Sequence, residues 1–133
     1  MINLRRAAFA AAVCVGAATG LPAGDVAAHA SLVSTDPTPD SVLEAGPLAV
    51  ALQFDEPVTI DLAGIRVFGP DGQRVDAGPT RSLDGGTSPS VDIDAAAVGT
   101  YTVAWKVVSA DSHVLSGTFL FHVQTRSERR RGR

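Results

Sequence analysis

Leu48-Ala49-Val50-Ala51-Leu52-Gln53-Phe54 puts an apolar side chain at every second position. Side chains of an extended backbone alternate between faces, so Leu48, Val50, Leu52 and Phe54 share one side, and this period predicts a half-buried β-strand. Outward from this stretch, further β-branched or aromatic runs occur at Ile65–Phe68, Val91–Ile93, Tyr101–Val108 and Thr118–Val123. Pro37, Pro39, Gly46-Pro47, Gly69-Pro70-Asp71-Gly72, Asp84-Gly85-Gly86 and Gly99 separate them and leave no stretch for a substantial helix. The expectation is an all-β chain of about seven short strands. A lone sheet could not bury its apolar face, so the strands should form a two-sheet β-sandwich or a Greek-key barrel.

Within that frame, Phe119, Phe121 and Val123 should point inward from the last strand, with Thr118, Leu120 and His122 on its other face. Trp105 alternates with Val103 and Val107, and Tyr101 follows Gly99-Thr100, where its hydroxyl can span a strand-entry corner. Asp84 to Ser90, rich in glycine, serine and threonine, is expected to be a mobile connection.

The chain has 133 residues, 45% hydrophobic and 19% charged, which fits one small domain and excludes a two-domain enzyme, an α/β barrel or a membrane bundle. Arg5 and Arg6 precede an apolar run from Ala7 to Ala18, and Leu21-Pro22-Ala23-Gly24 leads into Val26-Ala27-Ala28. Residues 1–28 therefore read as a secretory signal peptide, since a membrane span needs a run of roughly 20 apolar residues. Export to the periplasm or another extracytoplasmic space is expected. Small residues permit cleavage after Ala28 or after Ala30, and the choice decides whether His29 becomes the new amino terminus or is discarded.

Cleavage after Ala28 removes Cys14 and Met1, the only cysteine and methionine. Thiolate zinc, iron–sulfur and thioether-rich Cu(I) sites are then excluded, and any metal must be held by nitrogen and oxygen. Residues 29–125 carry Arg66, Arg74, Arg81 and Lys106 against twelve acids, a formal net charge of −8. Such a body attracts cations and repels nucleic acid. Five arginines crowd residues 126–133, a tail expected to be frayed and unstructured.

The polar group most capable of chemistry is Ser109-Ala110-Asp111-Ser112-His113, a break between two strands. Asp111 and His113 lie two apart, so extended backbone would turn a carboxylate and an imidazole to one side. An Asp-x-His pair alone is more often an ordinary surface turn, so a third ligand has to decide. His29 at a free amino terminus would offer its α-amine and the near imidazole nitrogen as a chelate. With reference pKa values near 7.7–8.0 and 6.5, both can lose a proton to a metal. Three nitrogens and one carboxylate oxygen from His29, Asp111 and His113 suit one tetragonal Cu(II) ion. His122 is expected to stand apart. Ser109, Ser112 and Ser116 lack a base for nucleophilic catalysis and are expected to shape the loop.

The pieces His29-Ala30-Ser31-Leu32, Leu52-Gln53-Phe54-Asp55-Glu56-Pro57-Val58, Gly99-Thr100-Tyr101-Thr102-Val103-Ala104-Trp105-Lys106-Val107-Val108 and Ser109-Ala110-Asp111-Ser112-His113-Val114-Leu115-Ser116-Gly117-Thr118-Phe119, in this order, resemble the CopC/YobA-like periplasmic copper-binding family. The resemblance covers nearly all of the chain after residue 28. It implies a Greek-key β-sandwich of cupredoxin-like or immunoglobulin-like outline that binds Cu(II) through the terminal His29 with Asp111 and His113. It also favours cleavage after Ala28. A methionine-rich second site for Cu(I), carried by some of the family, is missing here. Some of the family are fused to a membrane copper-transport domain, and a separate membrane copper transporter is a compatible partner.

The expected function is thus a non-enzymatic, exported Cu(II)-binding protein that buffers or delivers copper in homeostasis or resistance. Two alternatives compete with it. One is a histidine-brace copper redox enzyme, disfavoured by the small size and by Asp111 beside the metal. The other is a metal-free β-sandwich interaction module.

Overall fold

Eight strands carry the fold: β1 (Leu32–Asp36), β2 (Val42–Leu43), β3 (Ala49–Phe54), β4 (Val58–Phe68), β5 (Asp76–Leu83), β6 (Ser88–Ile93), β7 (Gly99–Ser109) and β8 (Val114–Val123). They form two four-stranded sheets, ordered β1-β3-β6-β5 and β2-β8-β7-β4. All pairs are antiparallel except β2 with β8. The computed structural model describes Gly20 and residues 29–133, Arg129 by its backbone alone. The expected signal segment, residues 1–28, lies outside the described residues apart from Gly20.

The all-β sandwich is the architecture expected from the alternating runs. Val50, Leu52 and Phe54 of β3 face Val103, Val107 and Tyr101 of β7 and Phe121 of β8 in one buried cluster, joined by Ile65, Val67 and Val91. Tyr101 stacks on Phe121 with ring centroids 4.9 Å apart. The Tyr101 hydroxyl donates to the carbonyl of Ala97 at 2.6 Å, so it crosses the corner that leads into β7.

The eight strands agree with the seven or so expected, and several details differ. β1 and β5 are edge strands with mostly exposed residues, so neither needs an apolar alternation. β5 also contains Gly78 and Pro79, tolerated because an edge leaves some backbone donors without a partner strand, and its pairing with β6 shifts register between Ala77 and Arg81. Leu48 lies outside β3 and is 86% exposed, so the shared face starts at Val50.

The expected mobile connection at Asp84–Ser90 is shorter than composition suggested. A 3-10 turn spans Asp84–Gly86, and Ser88, Pro89 and Ser90 are buried in β6, paired with Leu83, Ser82 and Arg81. Serine is small enough to be buried between strands, which composition alone misreads as loop.

The arginine tail, expected to be unstructured, contains a short helix α1 (Arg126–Arg131). Thr125 precedes it, and its N–H donates to the Glu128 carboxylate at 3.2 Å while the Glu128 N–H donates to the Thr125 carbonyl at 3.1 Å. An acid in the first turn and arginines in the last also suit the helix dipole. No described helix is long and apolar enough to cross a membrane.

Candidate metal centre

The β7–β8 hairpin runs in unbroken register from Gly99↔Val123 to Val108↔Val114 and closes through Ser109–His113. Asp111 and His113 therefore sit in a tight turn and not, as spacing suggested, on one side of an extended segment. Ser109 N–H donates to the His113 carbonyl and Ser112 N–H to the Ser109 carbonyl, both at 2.9 Å. Ser112 adopts φ 68°, which reverses the chain at its narrowest point.

This turn aims the two side chains at each other. His113 Nδ1 lies 2.8 Å from Asp111 Oδ2. The other carboxylate oxygen, Oδ1, accepts from the Ser109 hydroxyl and, at 3.4 Å, from the His113 N–H. Ser109 is itself buried, so its hydroxyl is a fixed donor beneath an otherwise open turn.

His29 approaches from the other sheet. Ala30, next to it, is buried in the core at 4% exposure. Ser31 is tied to Asp55 in both directions: Ser31 N–H donates to Asp55 Oδ1 at 2.6 Å and Asp55 N–H donates to the Ser31 carbonyl at 3.1 Å. A β-bulge between Leu32 and Ser34 shifts the β1–β3 register just beyond. Bulges re-aim the chain near a sheet edge. His29 Nδ1 arrives 2.8 Å from Asp111 Oδ2, and its ring centroid lies 4.8 Å from that of His113.

One ligand atom from each of His29, Asp111 and His113 thus falls within 4.8 Å of the others. The 2.8 Å between Asp111 Oδ2 and each Nδ1 is a hydrogen-bond distance, so one carboxylate oxygen gathers both imidazoles. The donor set of two imidazoles and a carboxylate suits a borderline divalent ion. The Ser109 hydroxyl bond, followed by the His113 bond, holds the Asp111 carboxyl at about 2, below its ordinary 3.8, so it stays ionised and available to a cation.

His122, the third histidine, is elsewhere. It faces Thr100 across the β7–β8 pair at the end of the hairpin away from the turn, as its position in the alternation suggested. Ser109, expected only to shape the loop, also donates to the Asp111 carboxylate, and Asp55 was not recognised as a support from sequence. A hydroxyl two residues before Asp111 was a visible signal for the first, whereas only folding brings Asp55 beside Ser31.

Residues 32–124 match the model of the CopC domain. The chain belongs to the CopC family. The protein YobA of Escherichia coli K12 is 32% identical over 108 residues, covering 80% of this chain and 87% of that one. The CopC crystal structure from Methylosinus trichosporium OB3b superposes with a TM-score of 0.60 at 28% identity, over 74% of this chain and 96% of that one. PcoC, a methionine-rich copper resistance protein from Escherichia coli, superposes with a TM-score of 0.58 at 28% identity, over 73% of this chain and all of PcoC. Both neighbours agree with the β-sandwich. The CopC domain match includes Asp111 and His113 but begins beyond His29, so the position of His29 rests on its own contacts. The chain also departs from methionine-rich PcoC, since its only sulfur residues, Met1 and Cys14, lie outside the CopC domain match.

Proposed function

We propose that this CopC-family protein is exported, processed to begin at His29, and binds one Cu(II) ion through His29, Asp111 and His113 in order to buffer copper or pass it on. The convergence of three donors from two separate chain segments on one point carries this reading. Family membership supports copper as the cargo, and copper stands highest among the divalent ions for nitrogen and oxygen ligands. The residues after position 28 offer no sulfur, so the donors favour Cu(II) over Cu(I).

Openness of the site suits transfer. The His29 and His113 side chains are 55% and 64% exposed and that of Asp111 25%, so a partner can reach the metal without unfolding the sandwich. The acidic surroundings draw cations in, while the ligand geometry selects among them. The proposed role is binding and release, with no bond made or broken in a substrate. A membrane copper transporter is the class of partner such a carrier would serve.

Mass spectrometry of the exported protein under non-denaturing conditions tests the proposal. The expected species begins at His29 and carries one copper ion, with an electron paramagnetic resonance spectrum of Cu(II) in nitrogen and oxygen ligands. A protein that begins at Ser31, or one that binds no copper when titrated, would overturn it.

A further inference from the structure

We infer that Asp55 is a positioning residue for the metal centre, which fixes the direction of His29 by gripping Ser31. The inference rests on the Cu(II) site proposed above. His29 has no strand of its own: β1 begins only at Leu32, and the β-bulge beyond it breaks the regular ladder with β3. What holds the segment is a pair of bonds to one residue. Asp55 Oδ1 accepts the Ser31 N–H at 2.6 Å, and the Asp55 N–H donates to the Ser31 carbonyl at 3.1 Å.

Only the first of those bonds depends on the side chain. A carboxylate that accepts a backbone N–H makes a short, charge-assisted bond, stronger than a neutral one. With Ala30 seated in the core and Ser31 clamped immediately after it, His29 has little freedom beyond its own torsions. Its Nδ1 is thereby delivered to Asp111 Oδ2 across the gap between the sheets. Without the clamp the last residues before β1 would sample many directions, and the metal would pay the cost of ordering them.

Asp55 therefore acts through hydrogen-bond geometry and not as a ligand, and this separates two substitutions. Asp55→Ala removes the acceptor, whereas Asp55→Asn keeps an acceptor oxygen and removes the charge. Residues that only support a metal ligand typically alter affinity by about 10–100-fold.

The test is Cu(II) titration and electron paramagnetic resonance of the processed protein and four variants: Asp55→Ala, Asp55→Asn, Ser31→Pro and His113→Ala. Thermal melts of the metal-free forms verify folding. Asp55→Ala should weaken Cu(II) binding by about 10-fold and change the spectrum as nitrogen coordination from His29 is partly lost. Ser31→Pro, which deletes the donor and leaves Asp55 in place, should do the same and serves if Asp55→Ala does not fold. Asp55→Asn should restore most of the affinity and the parent spectrum. Equal losses for Asn and Ala, or parent-like binding by Ala and Pro, would overturn the positioning role. His113→Ala separates the two levels: unchanged binding there would remove the metal site itself, whereas a loss there with parent-like Asp55→Ala would remove only this inference.

Discussion

His122 turns its Nδ1 to the hydroxyl of Thr100, 2.9 Å away, at the end of β8 remote from His113. Nine residues of strand separate the two histidines, roughly 30 Å at 3.3 Å per residue. His122 therefore cannot share an ion with Asp111. Substituting His122 by alanine should leave the Cu(II) affinity of the processed protein unchanged, while His113→Ala should lower it by more than the ~100-fold that marks loss of a supporting residue. Competition titration with a chelator of known affinity reads both. Equal losses would sink the assignment of the site.

The amino terminus makes a sharper demand. A His29 chelate needs a free α-amine beside its imidazole, so a variant that retains Ala28 converts that amine into a peptide nitrogen. Its copper affinity should fall by about 10-fold or more even though His29, Asp111 and His113 are all present. Deleting His29 altogether should be at least as severe. Parent-like affinity with Ala28 retained would show that the amine is not a ligand.

Asp111 also ties the hairpin turn to pH. Its carboxyl is lowered from 3.8 to about 2, first by the Ser109 hydroxyl and then by the His113 bond. A group depressed in the folded state stabilises it above the unfolded pKa, and loses that contribution as pH falls through the folded value. The metal-free protein should accordingly lose an Asp111-dependent share of stability between about pH 4 and pH 2, absent in Asp111→Asn. Ser109→Ala removes the leading cause, so the Asp111 carboxyl should titrate closer to 3.8 and the window should narrow. Carboxyl carbon NMR of both forms measures this. An Asp111 that titrates at its ordinary value in the parent would contradict it.

Interior strands were the legible part of the fold. Val50, Leu52 and Phe54 lie between two sheets and must alternate, as must Val103 and Val107, and those patterns survive in sequence. The edge strands β1, β2 and β5 bury too little to leave such a trace, whereas the edge strand β4 buries Ile65 and Val67 and was legible there. Ser88 to Ser90 were obscured for the opposite reason, because small polar residues fit a crowded interior without raising local hydropathy. At the candidate metal centre, residue chemistry nominated His29, Asp111 and His113, yet the route that joins Asp111 to His113 is a turn with Ser112 in the left-handed region, not an extended pair. The Asp55–Ser31 clamp spans 24 residues and could not be read from spacing at all.

Gly117 provides a test of the packing under the indole of Trp105. The two are register partners in β7 and β8, and a Cβ on Gly117 would stand 2.7 Å from Cε2 and Cζ2 of Trp105. Strand interiors ordinarily gain about 0.5–1 kcal/mol when glycine becomes alanine, because the unfolded chain loses freedom. Here the contact is with a rigid aromatic ring, and Trp105 also meets Phe54 edge-on at 5.5 Å between centroids. Overpacking of this kind costs about 1–3 kcal/mol, so the clash should outweigh the gain. Gly117→Ala should lower the denaturation midpoint and shift tryptophan emission as the indole is displaced toward solvent. Copper affinity should hold, since four strand residues, about 13 Å, separate position 117 from His113. A stabilised Gly117→Ala protein with parent-like emission would show that the ring moves aside freely.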